Sequence, residues 1–227
     1  MYLKAINLML PHEVVVNDFI QALKNNSVVD SSFLSPVSIL QIIKKLPNNK
    51  APGKDKITSI MLKRASFSVI EQLYYIFKAS IDLYYFPCIW KHALVMAFPK
   101  PGKPSTSPAN FRPISLLGVI GKLFERIILE QIELHIYENE IIIREQFGFK
   151  PGHSTILQLL RVTEFISFEM NKNRQTAMVL LDLQKAFDSV WHEALIYKLN
   201  KINLPVYLIK LIHSYLADRT FQVKLEV

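Results

Sequence analysis

The chain has 227 residues, half of them apolar, enough to bury one full core and part of a second, so intrinsic disorder is excluded. Its formal charge of +8 and isoelectric point near 9.4 fit an anionic partner, nucleic acid first, and from charge alone fit a merely solvated basic surface equally well. A single cysteine, Cys88, excludes an internal disulfide framework or Cys-based zinc site and makes a reducing, intracellular setting the expectation.

The histidines show no His-Glu-x-x-His spacing, and no uninterrupted apolar run approaches the roughly 20 residues that cross a bilayer. The start lacks a basic segment followed by a small-residue cleavage site. Residues 1–34 have mixed character and no strong period, and read as a linker or the frayed tail of an upstream region. Ser35-Pro36 is an N-cap followed by proline at the first helical position. Val37, Leu40, Ile43 and Leu46 continue a helix that Pro47 stops. Asn48 to Ile57, with Lys50, Gly53, Lys54 and Lys56, is a basic loop.

Thr58 to about Tyr85 predicts one long or broken helix on a core. The aromatic group Tyr74, Tyr75, Phe77, Tyr84, Tyr85 and Phe86 fits that core better than a set of base-stacking platforms. Ala93 to Phe98 reads as a buried strand, and Pro99 to Pro113 as a loop. Gly118 to about Tyr137 has helical period, Gln146 to Gly152 is a turn region, and Ser154 or Thr155 caps a helix to about Asn171. Leu157, Leu160, Val162, Phe165, Ile166 and Phe168 are its expected buried face. Thr176 to Leu181 predicts another strand, Asp188 an N-cap, and Pro205 the start of a helix reaching Leu216, before Phe221 to Val227 alternates like a strand.

Between Asp82 and Glu125 the basic residues Lys91, Lys100, Lys103, Arg112 and Lys122 occur with no acid among them. Phosphate-binding glycine motifs are absent: neither Gly53-Lys54 nor Gly118 with Gly121 completes one. The run AMVLLDLQKAFDSVWH, Ala177 to His192, ends its apolar part on Asp182. A carboxylate closing a buried strand is unfavourable unless a cation or donors meet it, and Mg²⁺ is the natural ion for a hard oxygen donor.

Five blocks together resemble the reverse transcriptase of non-long-terminal-repeat, LINE-type and jockey-like, retrotransposons. They are KAPGKDKI from Lys50, WKHALVMAFPKPGK from Trp90, NFRPISLLGVIGKLFERII from Asn110, EQFGFKPGHST from Glu145 and LLDLQKAFDSVWH from Leu180. The resemblance covers roughly positions 36 to 227. It implies an α+β, right-hand polymerase fold that is mainly helical with a few short strands. The divisions it implies are a helical extension over 35–92, fingers over 93–174 and the opening of a palm over 175–227.

By the same resemblance Asp182 is the first catalytic aspartate, binding two Mg²⁺ ions with the backbone carbonyl of Leu183. Lys100 and Arg112 grip the triphosphate of an incoming deoxynucleotide, and Phe187 packs under its sugar and excludes a 2′-hydroxyl. Lys50, Lys54, Lys103 and Lys150 would meet template or primer phosphates. Gly152 either lets nucleic acid approach or is an ordinary turn residue. The side chains of Trp90, Glu125 and Arg126 are assigned to structure.

The implied partners are an RNA template, a DNA primer and deoxynucleoside triphosphates, in an intracellular ribonucleoprotein of nucleus or cytoplasm. The family's paired-aspartate turn does not occur in these residues and is expected beyond Val227, with the thumb; an endonuclease domain is expected upstream. The chain alone is therefore expected not to polymerise. The competing readings are a nucleic-acid-binding remnant without catalysis, a helical protein-interaction module and a group II intron-like maturase. The Lys-Ala-Phe-Asp run and the Phe-Gly-Phe turn favour the retrotransposon type.

Overall fold

The computed structural model describes residues 11–23, 32–102, 104, 106–107, 110–183 and 186–224. Two compact units result, one of Met1–Glu133 with Trp191–Val227 and the other of Leu134–Val190. Lys103 lies outside the described residues, as do 24–31 and 225–227.

In the first unit, α1 (Pro11–Ala22) is a helix where the mixed composition suggested a linker. The consecutive Val14, Val15 and Val16 blur its period. Packing rescues it: Val16 is buried, and Phe19 meets Tyr197 edge-on at 5.7 Å. The helix α2 (Pro36–Lys45) begins as expected, with Ser35 and Ser38 forming a reciprocal capping box and Pro36 inside it. It buries Ile39, Ile42 and Ile43.

Thr58 to Tyr85 is indeed broken, into α3 (Ser59–Lys63), capped by the Thr58 side chain, and α4 (Phe67–Asp82). The short α5 (Cys88–Lys91) leads into β1 (His92–Pro99). The core gathers Ile70, Phe77 and Ile81 of α4 with Leu123, Phe124 and Ile127 of α6 (Val119–Glu138). Ile196 of α8 (His192–Lys201) and Leu208, Ile209 and Leu211 of α9 (Val206–Leu216) close it.

Phe77 stacks on Phe124 at 5.1 Å, and Trp90 meets Phe77, Phe86 and Phe124 at 5.5–5.8 Å, so Trp90 is a core residue as its sequence context suggested. The core reading of the aromatic group holds for Phe77 and Phe86, whereas Tyr75 and Tyr85 are exposed.

β2 (Phe111–Leu116) pairs antiparallel with β1, and β3 (Thr220–Lys224) pairs parallel on its other side, giving the order β2-β1-β3. The expected loop therefore ends at Asn110, and Arg112 and Pro113 are strand residues opposite Phe98 and Ala97. Proline is tolerated there because β2 is an edge strand, where its missing N–H leaves no ladder bond broken.

The second unit holds the last turn of α6, a loop, and α7 (Thr155–Asn171), which Ser154 caps by accepting from the Leu157 N–H. Its length matches the reading of the sequence, but its burial does not. None of its residues is buried, and Leu160, Phe165 and Phe168 are more than half exposed. The expected strand over 176–181 is likewise absent: these residues carry no ladder, and Leu180 and Leu181 are 83% and 92% exposed. An apolar run becomes a strand only when another strand supplies its hydrogen bonds, and none of the described residues does so. Asp188 sits in an exposed turn, and α8 starts only after Trp191, so Asp188 is not its N-cap.

Candidate functional site

Backbone crowding shapes the basic loop KAPGKDKI. A Cβ on Gly53 would stand 2.5 Å from the Gly118 nitrogen and 2.7 Å from the Leu117 carbonyl carbon, so only glycine lets this loop cross the entry to α6. Asp55 secures the same crossing. Its Oδ1 accepts from the Ile57 N–H at 3.1 Å, and its Oδ2 would lie 2.6 Å from a Cβ on Gly118. Lys54 and Asp55 line a cavity of about 460 Å³ with Trp90, His92 and Gly118. Lys50 lines another, of about 360 Å³, with Lys122. Both loop lysines are exposed.

The β1–β2 hairpin brings Lys100 and Arg112 to one end. The Lys100 N–H donates to the Asn110 carbonyl at 2.8 Å, closing the hairpin beyond the Phe98–Arg112 pair. Arg112 is exposed and Lys100 half-buried.

In the second unit, Glu145 and Arg161 pair at 3.0 Å, and the Arg161 guanidinium lies 5.7 Å from the Phe147 ring centre. That hydrogen bond holds the Glu145 carboxyl below its ordinary range. Phe147 also meets the His153 ring at 4.8 Å, and the Gln146 side-chain amide donates to the Gly148 carbonyl at 2.9 Å. The EQFGFKPGHST block is therefore self-bracing. Gly152 adopts φ +72° with open space around it, so its conformation, not a close approach by other backbone, requires glycine. Lys150 is half-buried, its carbonyl accepting from the His153 N–H.

Phe187 is 82% exposed and packs edge-on against Phe149 at 6.3 Å, joining the turn over 186–189 to this block. Asp182 and Leu183 are exposed, and Asp182 has no hydrogen bond or ion pair among the described residues. Burial in a sheet, on which the sequence argument for Asp182 rested, is thus not realised.

A hard carboxylate beside the Leu183 carbonyl is suitable chemistry for Mg²⁺, but it makes only part of a coordination shell. No group of three metal-ligating side chains occurs among the described residues, so these residues by themselves do not complete the site.

A polar network that the sequence does not announce joins α6 to the end of α9. Burial pushes the Glu125 carboxyl up, against the opposing charge of Arg219, a hydrogen bond from Tyr215 and the charge of Lys122. Its Oε1 is buried without a partner among the described residues. The Tyr215 hydroxyl is pushed up too, first by burial and then by the Glu125 charge. Arg219 donates to the Tyr215 carbonyl at 3.1 Å and lies 4.4 Å from that ring's centre. On the sheet, His92 Nδ1 bonds the Thr220 hydroxyl at 2.9 Å, pinning β3 to β1. These partners are about 90 and 128 positions apart in sequence, beyond any local signal.

Residues 98–226 match the family model described as reverse transcriptase (RNA-dependent DNA polymerase). Among curated proteins of Drosophila melanogaster, the chain is 39% identical over 186 residues to "Probable RNA-directed DNA polymerase from transposon BS" and 40% over 189 to that from transposon X-element. It is 36% identical over 188 residues to "RNA-directed DNA polymerase from mobile element jockey". These alignments cover 82%, 83% and 83% of the chain but only 20%, 21% and 20% of the relatives, so the chain spans about a fifth of their length. With a family match over more than half its length and relatives of this identity along most of it, the chain belongs to the reverse transcriptase family, in its non-long-terminal-repeat retrotransposon branch.

Proposed function

We propose that this chain is the fingers and opening palm of an RNA-directed DNA polymerase, which copies an RNA template onto a primer 3′-hydroxyl from deoxynucleoside triphosphates. The observation that carries the reading is the family match over residues 98–226, a span that contains Lys100, Arg112, Asp182 and Phe187 together. Residues 35–92 are the helical extension, 93–174 the fingers and 175–227 the start of the palm.

Arg112, exposed on the edge strand, offers a planar fork for phosphate oxygens, and Lys100 adds a compact charge beside it. Asp182 and the Leu183 carbonyl would hold part of a metal site, which further carboxylates would have to complete. Metal ions bound there would supply charge neutralisation and activation of the primer hydroxyl.

The exposed run over 177–183, unpaired in this chain, would become a strand with Asp182 at the mouth of a sheet only where further palm polypeptide pairs it. Phe187, held edge-on by Phe149, excludes a 2′-hydroxyl by steric conflict. Lys50, Lys54, Lys103 and Lys150 meet backbone phosphates, and the turn at Gly152 presents Lys150 to them.

Primer extension with Mg²⁺ and an RNA template tests this. The 227-residue chain gives no product, whereas a longer protein carrying it together with the paired-aspartate block extends the primer and loses roughly a thousandfold in rate on Asp182→Asn. Undiminished extension by that variant would remove Asp182 from the mechanism.

A further inference from the structure

The strand registers sort the sheet into two faces. Arg112 stands opposite Phe98, on the face that also carries Leu94, Met96 and Ile114; Val95, Pro113 and Ser115 belong to the other. A cavity of about 360 Å³ is lined by Val95, Pro113 and Ser115 from that second face together with Lys91 and Arg219.

Lys91 is only 3% exposed, so its ammonium has lost nearly all contact with bulk water. Its one partner among the described residues is the Tyr85 ring, whose centre lies 5.9 Å from Nζ, near the outer limit of a cation–π contact. A buried ammonium lacking a counter-charge is strongly unfavourable. Arg219 is exposed; it bonds the carbonyl and the side chain of Tyr215, which leaves further N–H donors of its five-donor fork for a ligand. Glu125 lies within electrostatic reach of Arg219, and Asp218 within reach of Tyr85, but no carboxylate is among the described residues lining the cavity.

We propose that this cavity is an oxyanion site for a phosphate-class ligand, held between Lys91 and Arg219 with the Ser115 hydroxyl as a further donor. The anion supplies the missing counter-charge, an ammonium and a guanidinium being the usual pair for phosphate oxygens. Because Arg112 belongs to the opposite face, this site is separate from the triphosphate grip proposed above and stands whether or not the polymerase reading does. Its ligand is either free phosphate or a phosphodiester of a nucleic-acid strand, which share the chemistry that Lys91 and Arg219 recognise.

The test compares the 227-residue chain with Lys91→Met, which keeps the unbranched stem, and with Arg219→Gln at an exposed position. Inorganic phosphate, against chloride at equal ionic strength, is expected to raise Tm by roughly 3 °C at ten times Kd, and to raise it much less in either variant. If Lys91→Met does not fold, Arg219→Gln decides the result. Equal shifts in wild type and the folded variants overturn the proposal.

Binding of single-stranded RNA across a salt series then separates the sources. A strand phosphate in the site lowers the slope of log K against log salt by about 0.7 in the variants. An unchanged slope together with a lost phosphate shift assigns the site to free phosphate. An unchanged slope with an unchanged phosphate shift rejects it.

Discussion

Glu125 and Gly53 show how differently single side chains enter this fold. Burial raises the Glu125 carboxyl above its ordinary value of 4.5, so the folded chain retains a proton that the unfolded chain has already released. The contribution of this group to stability therefore falls as pH rises from about 4.5 through the folded value. Urea midpoints of wild type, taken relative to Glu125→Gln, should decline over that window; a constant difference would mean that the carboxyl titrates normally. At Gly53 the constraint is steric. An added methyl meets backbone that cannot rotate away, so Gly53→Ala should cost roughly 1–3 kcal/mol. Gly118→Ala should cost less, because it meets the movable Asp55 side chain. Urea unfolding of the two variants checks the order. Gly53 was legible as a loop residue, but the reason for it was not, since the backbone it touches lies some 65 positions away in sequence.

Helices were legible wherever a local signal starts them, and strands only in part: β1 and β3 form where 93–98 and 221–227 read as strands. Ser35-Pro36, Ser154 and Pro205 open helices where the sequence places them, because cap chemistry is settled within a turn. The error at Asp188 has the same origin: a residue suited to capping does not move a helix start to itself. Strand pairing is non-local, and two segments were misread for that reason, one in each direction. The reading missed the start of β2 at Phe111 and drew a strand over 176–181 that has no partner. The apolar stripe of α7 is also real in sequence but uncovered in the fold. Two measurements follow. Backbone amides of residues 177–183 should exchange almost as in an unfolded peptide. Leu181→Glu should change the stability of this chain by no more than about 0.5 kcal/mol, while a longer active protein loses extension through it. Protection of those amides in the 227-residue chain would refute the first.

The two units divide the functional assignments between them. Lys50, Lys54, Lys100 and Arg112 belong to the unit with the buried core, and Lys150, Gly152, Asp182 and Phe187 to the unit inserted at positions 134–190. Family and general role were readable from five ordered blocks because those residues are constrained by chemistry. The inserted unit, with exposed leucines over 180–183 and none of α7 buried, is the part whose packing the sequence overstated. β3 bears on how such a chain is made. It lies parallel to β1 with His92 opposite Thr220, and the Phe86 N–H donates to the Ser214 hydroxyl across the same sequence gap. On the ribosome, β1 and β2 can zip together early, but the third strand emerges only after more than a hundred further residues have been synthesised. Until then the far edge of β1 is an open template for another strand. The nascent chain therefore depends on α9 emerging promptly, and a pause in translation before Pro205 should favour aggregation over closure.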